Sequence, residues 1–92
     1  MSPDRAWRVE LLAEAARELR KLGPPAETLI LRYLRQRIAT AEDPRRFGRP
    51  LTGDLKGFWR YRVGDYRIVA SIEDDRFIVL VVTMGHRREV YD

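Results

Sequence analysis

Two arginines set two residues apart, Arg60 and Arg62, sit in Phe58-Trp59-Arg60-Tyr61-Arg62-Val63, whose alternation is that of a β-strand. Side chains two apart share a face, so both guanidiniums point to one side while Trp59, Tyr61 and Val63 point to the other. The next run, Tyr66 to Ile72, begins after only Gly64-Asp65. A hairpin closed by those two residues puts Val63 opposite Tyr66 and Arg62 opposite Arg67, which gathers Arg60, Arg62 and Arg67 on one patch. Like charges on adjoining strands repel. A polyanion relieves that repulsion, because each guanidinium fork can hold two phosphate oxygens. The competing explanation is a solvated face whose arginines pair with acids. Against it, Asp54 and Asp65 are the only acids between residues 50 and 70.

A second cluster closes the chain: His86, Arg87, Arg88 and Tyr91 follow the run Phe77 to Thr83. A lone histidine is usually a surface or capping residue, and a lone tyrosine often packs its ring on a core. Following a strand that should lie against the arginine hairpin, they become candidates for proton transfer and stacking. Further cations, Arg45, Arg46, Arg49 and Lys56, fall in the intervening loop and extend the cationic surface. No Ser-His-Asp set, phosphate loop or GxGxxG motif is present; Gly48-Arg49-Pro50-Leu51-Thr52-Gly53 lacks the Lys-Ser/Thr ending of a phosphate loop. One histidine and no cysteine make a multi-ligand zinc or iron site an unpromising expectation.

These residues need elements to hold them. Ala6 to Leu11 alternates as a short first strand. From Leu12 the period changes: Leu12, Ala15, Ala16, Leu19 and Leu22 recur at helical spacing until Gly23, and Pro24-Pro25 start a second helix. Its stripe is Ala26, Leu29, Ile30, Tyr33, Leu34 and Ile38, and it runs to about Thr40. Ala41 to Gly57 has no period and contains Asp43-Pro44, Gly48, Pro50, Gly53 and Gly57, which reads as a long loop of the kind that more often carries function than filler. Three runs then form an antiparallel meander: Phe58 to Val63, Tyr66 to Ile72, and Phe77 to Thr83, the last apolar on both faces and therefore central. The expected fold is α+β in the order β-α-α-β-β-β, a helical hairpin packed on a three- to four-stranded antiparallel sheet. It forms a single domain over residues 1–92.

Length and composition agree. A chain of 92 residues with 45% apolar content can build one two-layer core. The net charge is +4, and 16 of the 18 cations are arginine; residues 41–67 carry the densest excess. An arginine-rich, lysine-poor chain fits phosphate binding, and it fits a GC-rich genome equally well. Without cysteine there is no disulfide framework. With no long apolar run and no basic-then-apolar start, the expectation is a cytoplasmic protein without membrane contact.

The run from Leu51 to Val69, LTGDLKGFWRYRVGDYRIV, resembles the signature of the RelE/ParE toxin superfamily, and Gly85-His86-Arg87-Arg88-Glu89-Val90-Tyr91 resembles its closing motif. The Asp43-Pro44-Arg45 entry into the loop is similar too, and the resemblance covers nearly the whole chain. It implies the toxin half of a type II toxin–antitoxin pair: a ribosome-dependent endoribonuclease that cuts mRNA in the A site by attack of a ribose 2′-hydroxyl on the adjacent phosphate. It also implies that neither metal nor small-molecule cofactor is needed. The implied partners are a RelB-like antitoxin, mRNA on the ribosome and the 16S rRNA around it. Family matching assigns Arg60, Arg62, Arg67, His86, Arg87 and Tyr91 to catalysis, while Arg45, Arg46, Arg49, Lys56 and Arg88 extend the RNA-binding surface.

One departure bears on the chemistry. The two strand positions that are lysine in the best-known RelE pattern are Arg60 and Arg62 here. Arginine does not give up its proton in proteins. A general base therefore has to be Tyr91 or His86. Two other readings share the scaffold. One is a ParE-like poison of DNA gyrase; the other is a module that keeps its antitoxin contact and has lost catalysis.

Overall fold

The computed structural model describes residues 6–86. Strand β1 (Arg8–Leu11) opens it and is followed by helix α1 (Ala13–Lys21) and helix α2 (Pro24–Tyr33). Gly23, at φ +94°, turns the chain between the helices in a conformation that a side chain would disfavour, and two prolines then fill the first positions of α2, where no amide donor is needed. Beyond Tyr33 the helix widens into a π-turn, Leu34–Ile38, ended by the bond from Ala39 N–H to the Leu34 carbonyl at 2.8 Å. Leu34 and Ile38 are both buried there, so the apolar stripe expected to about Thr40 is kept although the hydrogen-bonding pattern changes.

Five strands form one sheet in the order β1-β5-β4-β3-β2, where β2 is Arg49–Pro50, β3 is Trp59–Val63, β4 is Tyr66–Glu73 and β5 is Ile78–His86. The central place of the doubly apolar last run is as expected. The β3–β4 hairpin pairs Val63 with Tyr66 and Arg62 with Arg67, the register read from the Gly64-Asp65 turn. Two features go beyond the sequence reading. First, β1 joins β5 in parallel, from Arg8 opposite Ile78 to Leu11 opposite Val81, so the sheet is mixed. Second, the long loop contributes the fifth strand, with Arg49 opposite Arg60 and Pro50 opposite Trp59.

The helices cover one face of this sheet. Ala15, Leu19, Ile30, Leu34 and Ile38 pack on Trp7, Tyr61, Val63, Ile68, Ala70, Val79, Val81 and Met84, all buried. A bulge changes the β4–β5 register between Val69 and Ala70, which face Thr83 and Val81 and leave Val82 as the extra residue. Past Val81, β5 has lost β1 as a neighbour, and Glu18 of α1 takes its place: its carboxylate accepts from Met84 N–H at 2.9 Å and from the Thr83 hydroxyl at 2.9 Å. A helix side chain thus satisfies a strand edge that would otherwise be left unpaired.

Candidate phosphate-binding site

The face of the sheet away from the helices carries the cations. Alternation from the core residues Tyr61, Val63 and Ile68 puts Arg60, Arg62 and Arg67 on the opposite side, and pairing adds Arg49 beside Arg60. Four guanidiniums from three adjacent strands therefore share one face. They differ in exposure. Arg62 is open to solvent, Arg60 is half-buried, and Arg67 is only 4% exposed. Gly85 pairs with Arg67 on the neighbouring strand and presents no side chain to crowd it. Next to this face, Arg49, Pro50, Leu51, Thr52 and Arg60 line an open cleft of about 200 Å³.

The loop that brings Arg49 to the site is fastened at two points. Tyr61, fully buried, donates its hydroxyl hydrogen bond to the Pro44 carbonyl at 2.8 Å. Gly48 lets this ring approach, since a Cβ there would lie 3.0 Å from Tyr61 Cε1. Burial, reinforced by neighbouring Tyr33, pushes the Tyr61 phenol far above its ordinary pKa, so it anchors the loop and cannot act as a base. The second point is Arg45, which pairs with Asp74 at 2.5 Å and Asp43 at 3.3 Å and lies over the Trp59 ring at 5.7 Å. The hydrogen bond to Asp74 raises the Arg45 pKa and lowers that of Asp74.

These contacts place two of the candidate RNA-binding residues away from the arginine face. Arg45 is engaged as a tie between the loop and the β4–β5 turn, and Arg46 pairs with Glu42 and stacks over Phe47 at 4.5 Å. Neither joins the arginine face. His86 also lies away from that face. Strand β5 continues to His86, three residues past the expected end, so alternation decides its side: it pairs with Tyr66 and its ring meets the Tyr66 ring edge-on at 5.8 Å. That is the helix side of the sheet, opposite Arg67. Lys56 is exposed at the end of the short 3-10 turn Gly53–Leu55. Arg87, Arg88 and Tyr91 lie outside the described residues. Among the described residues no group of three or more His, Asp or Glu could hold a metal ion, and no helix is long and apolar enough to cross a membrane.

Local pattern puts Arg49 among the RNA-binding cations of the loop, apart from the arginine hairpin. A two-residue strand is too short for any period to reveal, and its pairing with β3 is what turns Arg49 into a neighbour of Arg60. Strand alternation marks Tyr61 as a packing residue, and its anchoring hydroxyl bond has no local signal.

A mixed sheet with a helical hairpin on one face, here with arginines clustered on the other, is an arrangement shared with known proteins. Residues 9–91 match the family model described as the ParE toxin of the type II toxin–antitoxin system parDE. The toxin RelE of Mycobacterium tuberculosis (strain ATCC 25618 / H37Rv) is 32% identical over 91 residues, covering 99% of this chain and 92% of that one. Toxin RelG of the same organism is 28% identical over 85 residues, covering 92% and 95%. The crystal structure of the RelBE2 toxin–antitoxin complex of M. tuberculosis contains a chain that superimposes with a TM-score of 0.82 at 28% identity, covering 90% of this chain and all of that one. The chain belongs to the RelE/ParE superfamily of type II toxins, and within it is RelE-like.

Proposed function

We propose that this toxin is a ribosome-dependent endoribonuclease that cleaves mRNA in the A site and is silenced by a RelB-like antitoxin. The observation that carries this reading is the convergence of Arg49, Arg60, Arg62 and Arg67 on one face of β2, β3 and β4. In the reaction, the ribose 2′-oxygen attacks the adjacent phosphorus and loses its proton to a base. The bond from phosphorus to the 5′-oxygen breaks, and that oxygen gains a proton. The products are a 2′,3′-cyclic phosphate and a 5′-hydroxyl. Between the two bond changes the phosphorane carries extra negative charge, and oriented guanidiniums stabilise that charge more than they stabilise the bound substrate.

Arginine cannot take the proton. With His86 on the other side of the sheet, the base falls to Tyr91, a role that requires its ordinary pKa of about 10 to be lowered by positive charge. Arg49, Lys56 and Arg88 extend the grip on the RNA backbone. An antitoxin segment that covers the same cations silences the toxin by excluding RNA. The solved RelBE2 complex, a toxin bound to its antitoxin, supports a partner of that kind.

Incubation with translating ribosomes, followed by mapping of mRNA ends, tests the proposal: cuts in phase with codons are expected. The matching family model carries the ParE name, which keeps the gyrase reading specific. An absence of cuts together with accumulation of gyrase–DNA cleavage complexes selects that reading instead.

A further inference from the structure

The cleft lined by Arg49, Pro50, Leu51, Thr52 and Arg60 shares its two arginines with the phosphate chemistry, which leaves Pro50, Leu51 and Thr52 unused. We infer that it receives one nucleobase of the single-stranded message beside the scissile phosphate, and that the Thr52 hydroxyl reads that base. This rests on the ribonuclease reading above and adds to it a determinant of where the message is cut.

Several observations meet here. At about 200 Å³ the cleft is smaller than a pocket for a drug-sized ligand, and its scale suits one flat ring system. It is lined by Arg49 and Arg60, neighbours across the β2–β3 pairing, and by Pro50, Thr52 and the buried Leu51. A phosphate would have no use for the apolar part. An unstacked base uses both, because it stacks on apolar rings and on guanidinium planes. Arg60 belongs to the cleft and to the arginine face at once. A base held in the cleft therefore lies within a nucleotide of the phosphate held on that face.

Thr52 lines the cleft, is exposed, and its hydroxyl makes no hydrogen bond with the described residues. A hydroxyl both donates and accepts, so it can meet either kind of group on a base edge. Its position is fixed from both sides: Leu51 N–H bonds the Phe58 carbonyl at 3.0 Å, and the Thr52 carbonyl accepts from Leu55 N–H at 3.3 Å. Gly53, at φ +64°, then turns the chain away and leaves the rim open.

The test is the base preference of cleavage. Wild type, Thr52→Val and Thr52→Ser proteins are each incubated with ribosomes translating a mixed message pool, and base frequencies around the mapped cuts are compared. Wild type is expected to favour particular bases at one codon position. Thr52→Val should reduce that ratio by roughly three- to tenfold, the worth of one hydrogen bond, and Thr52→Ser should restore it. A Thr52→Val profile identical to wild type, or a wild type that cuts without any base preference, overturns the subsite while leaving the nuclease intact. A wild type that makes no codon-phased cuts overturns the nuclease reading itself.

Discussion

At the scale of single residues, burial divides the four arginines into two kinds. Arg62 is exposed and its replacement by Ala should change stability by no more than about 0.5 kcal/mol. Its loss from a charge-stabilising set should lower cleavage about a hundredfold, as removing one oxyanion donor does. Thermal unfolding alongside ribosome-dependent cleavage separates the two effects. Arg67 is different, since at 4% exposure it fills space as well as carrying charge, and truncation to Ala would confuse packing with chemistry. Arg67→Lys keeps the charge and loses the planar fork. It should therefore lose most cleavage while remaining folded, and full activity in that variant would remove Arg67 from the phosphate site. Tyr61→Phe should destabilise the fold by about 1–3 kcal/mol, because the Pro44 carbonyl is left unsatisfied in a buried place. Denaturant titration reads this directly.

At the scale of elements, the loop from Pro44 to Leu55 is a designed connection, tied down at Tyr61 and at Arg45. The Arg45–Asp74 bond makes one of these ties titratable. Asp74 has its pKa lowered from 3.8 by the Arg45 hydrogen bond, so the stabilisation is complete above the unfolded value and is lost as pH falls through the lower folded value. Asp74→Asn should therefore unfold at a lower temperature than wild type at pH 7, with the gap closing as the pH is taken below the ordinary carboxylate range. Melting curves across that range check it. The same elements show what a sequence reveals. The alternation of Trp59-Arg60-Tyr61-Arg62-Val63 and the Gly64-Asp65 turn were enough to give the register that builds the arginine face, since strand period and turn length are local properties. The partner of β1, the two-residue β2 and the face taken by His86 were not legible. Each depends on pairing between distant segments or on how far a strand continues, and neither leaves a mark in the local pattern. The Glu18 contact with β5 was hidden for the same reason: a glutamate on a helix face looks solvated until the strand edge it meets is known.

At the scale of the whole molecule, the sheet separates two jobs. One side is covered by the helices, and the other gathers cations whose mutual repulsion the proposed RNA would relieve. Binding to a single-stranded RNA should accordingly weaken steeply with salt. Four phosphate contacts give a slope of log affinity against log salt near about −3, and Arg62→Ala should make it shallower by about 0.7. Filter binding across a salt series measures both. The parallel pairing of β1 with β5 has a temporal side. Residues 8–11 can close the sheet only against residues 78–81, so the segment made first waits for one made nearly last. A nascent copy therefore cannot complete its sheet until the segment carrying residues 78–81 has left the exit tunnel, so closure of the β1 edge falls late in synthesis.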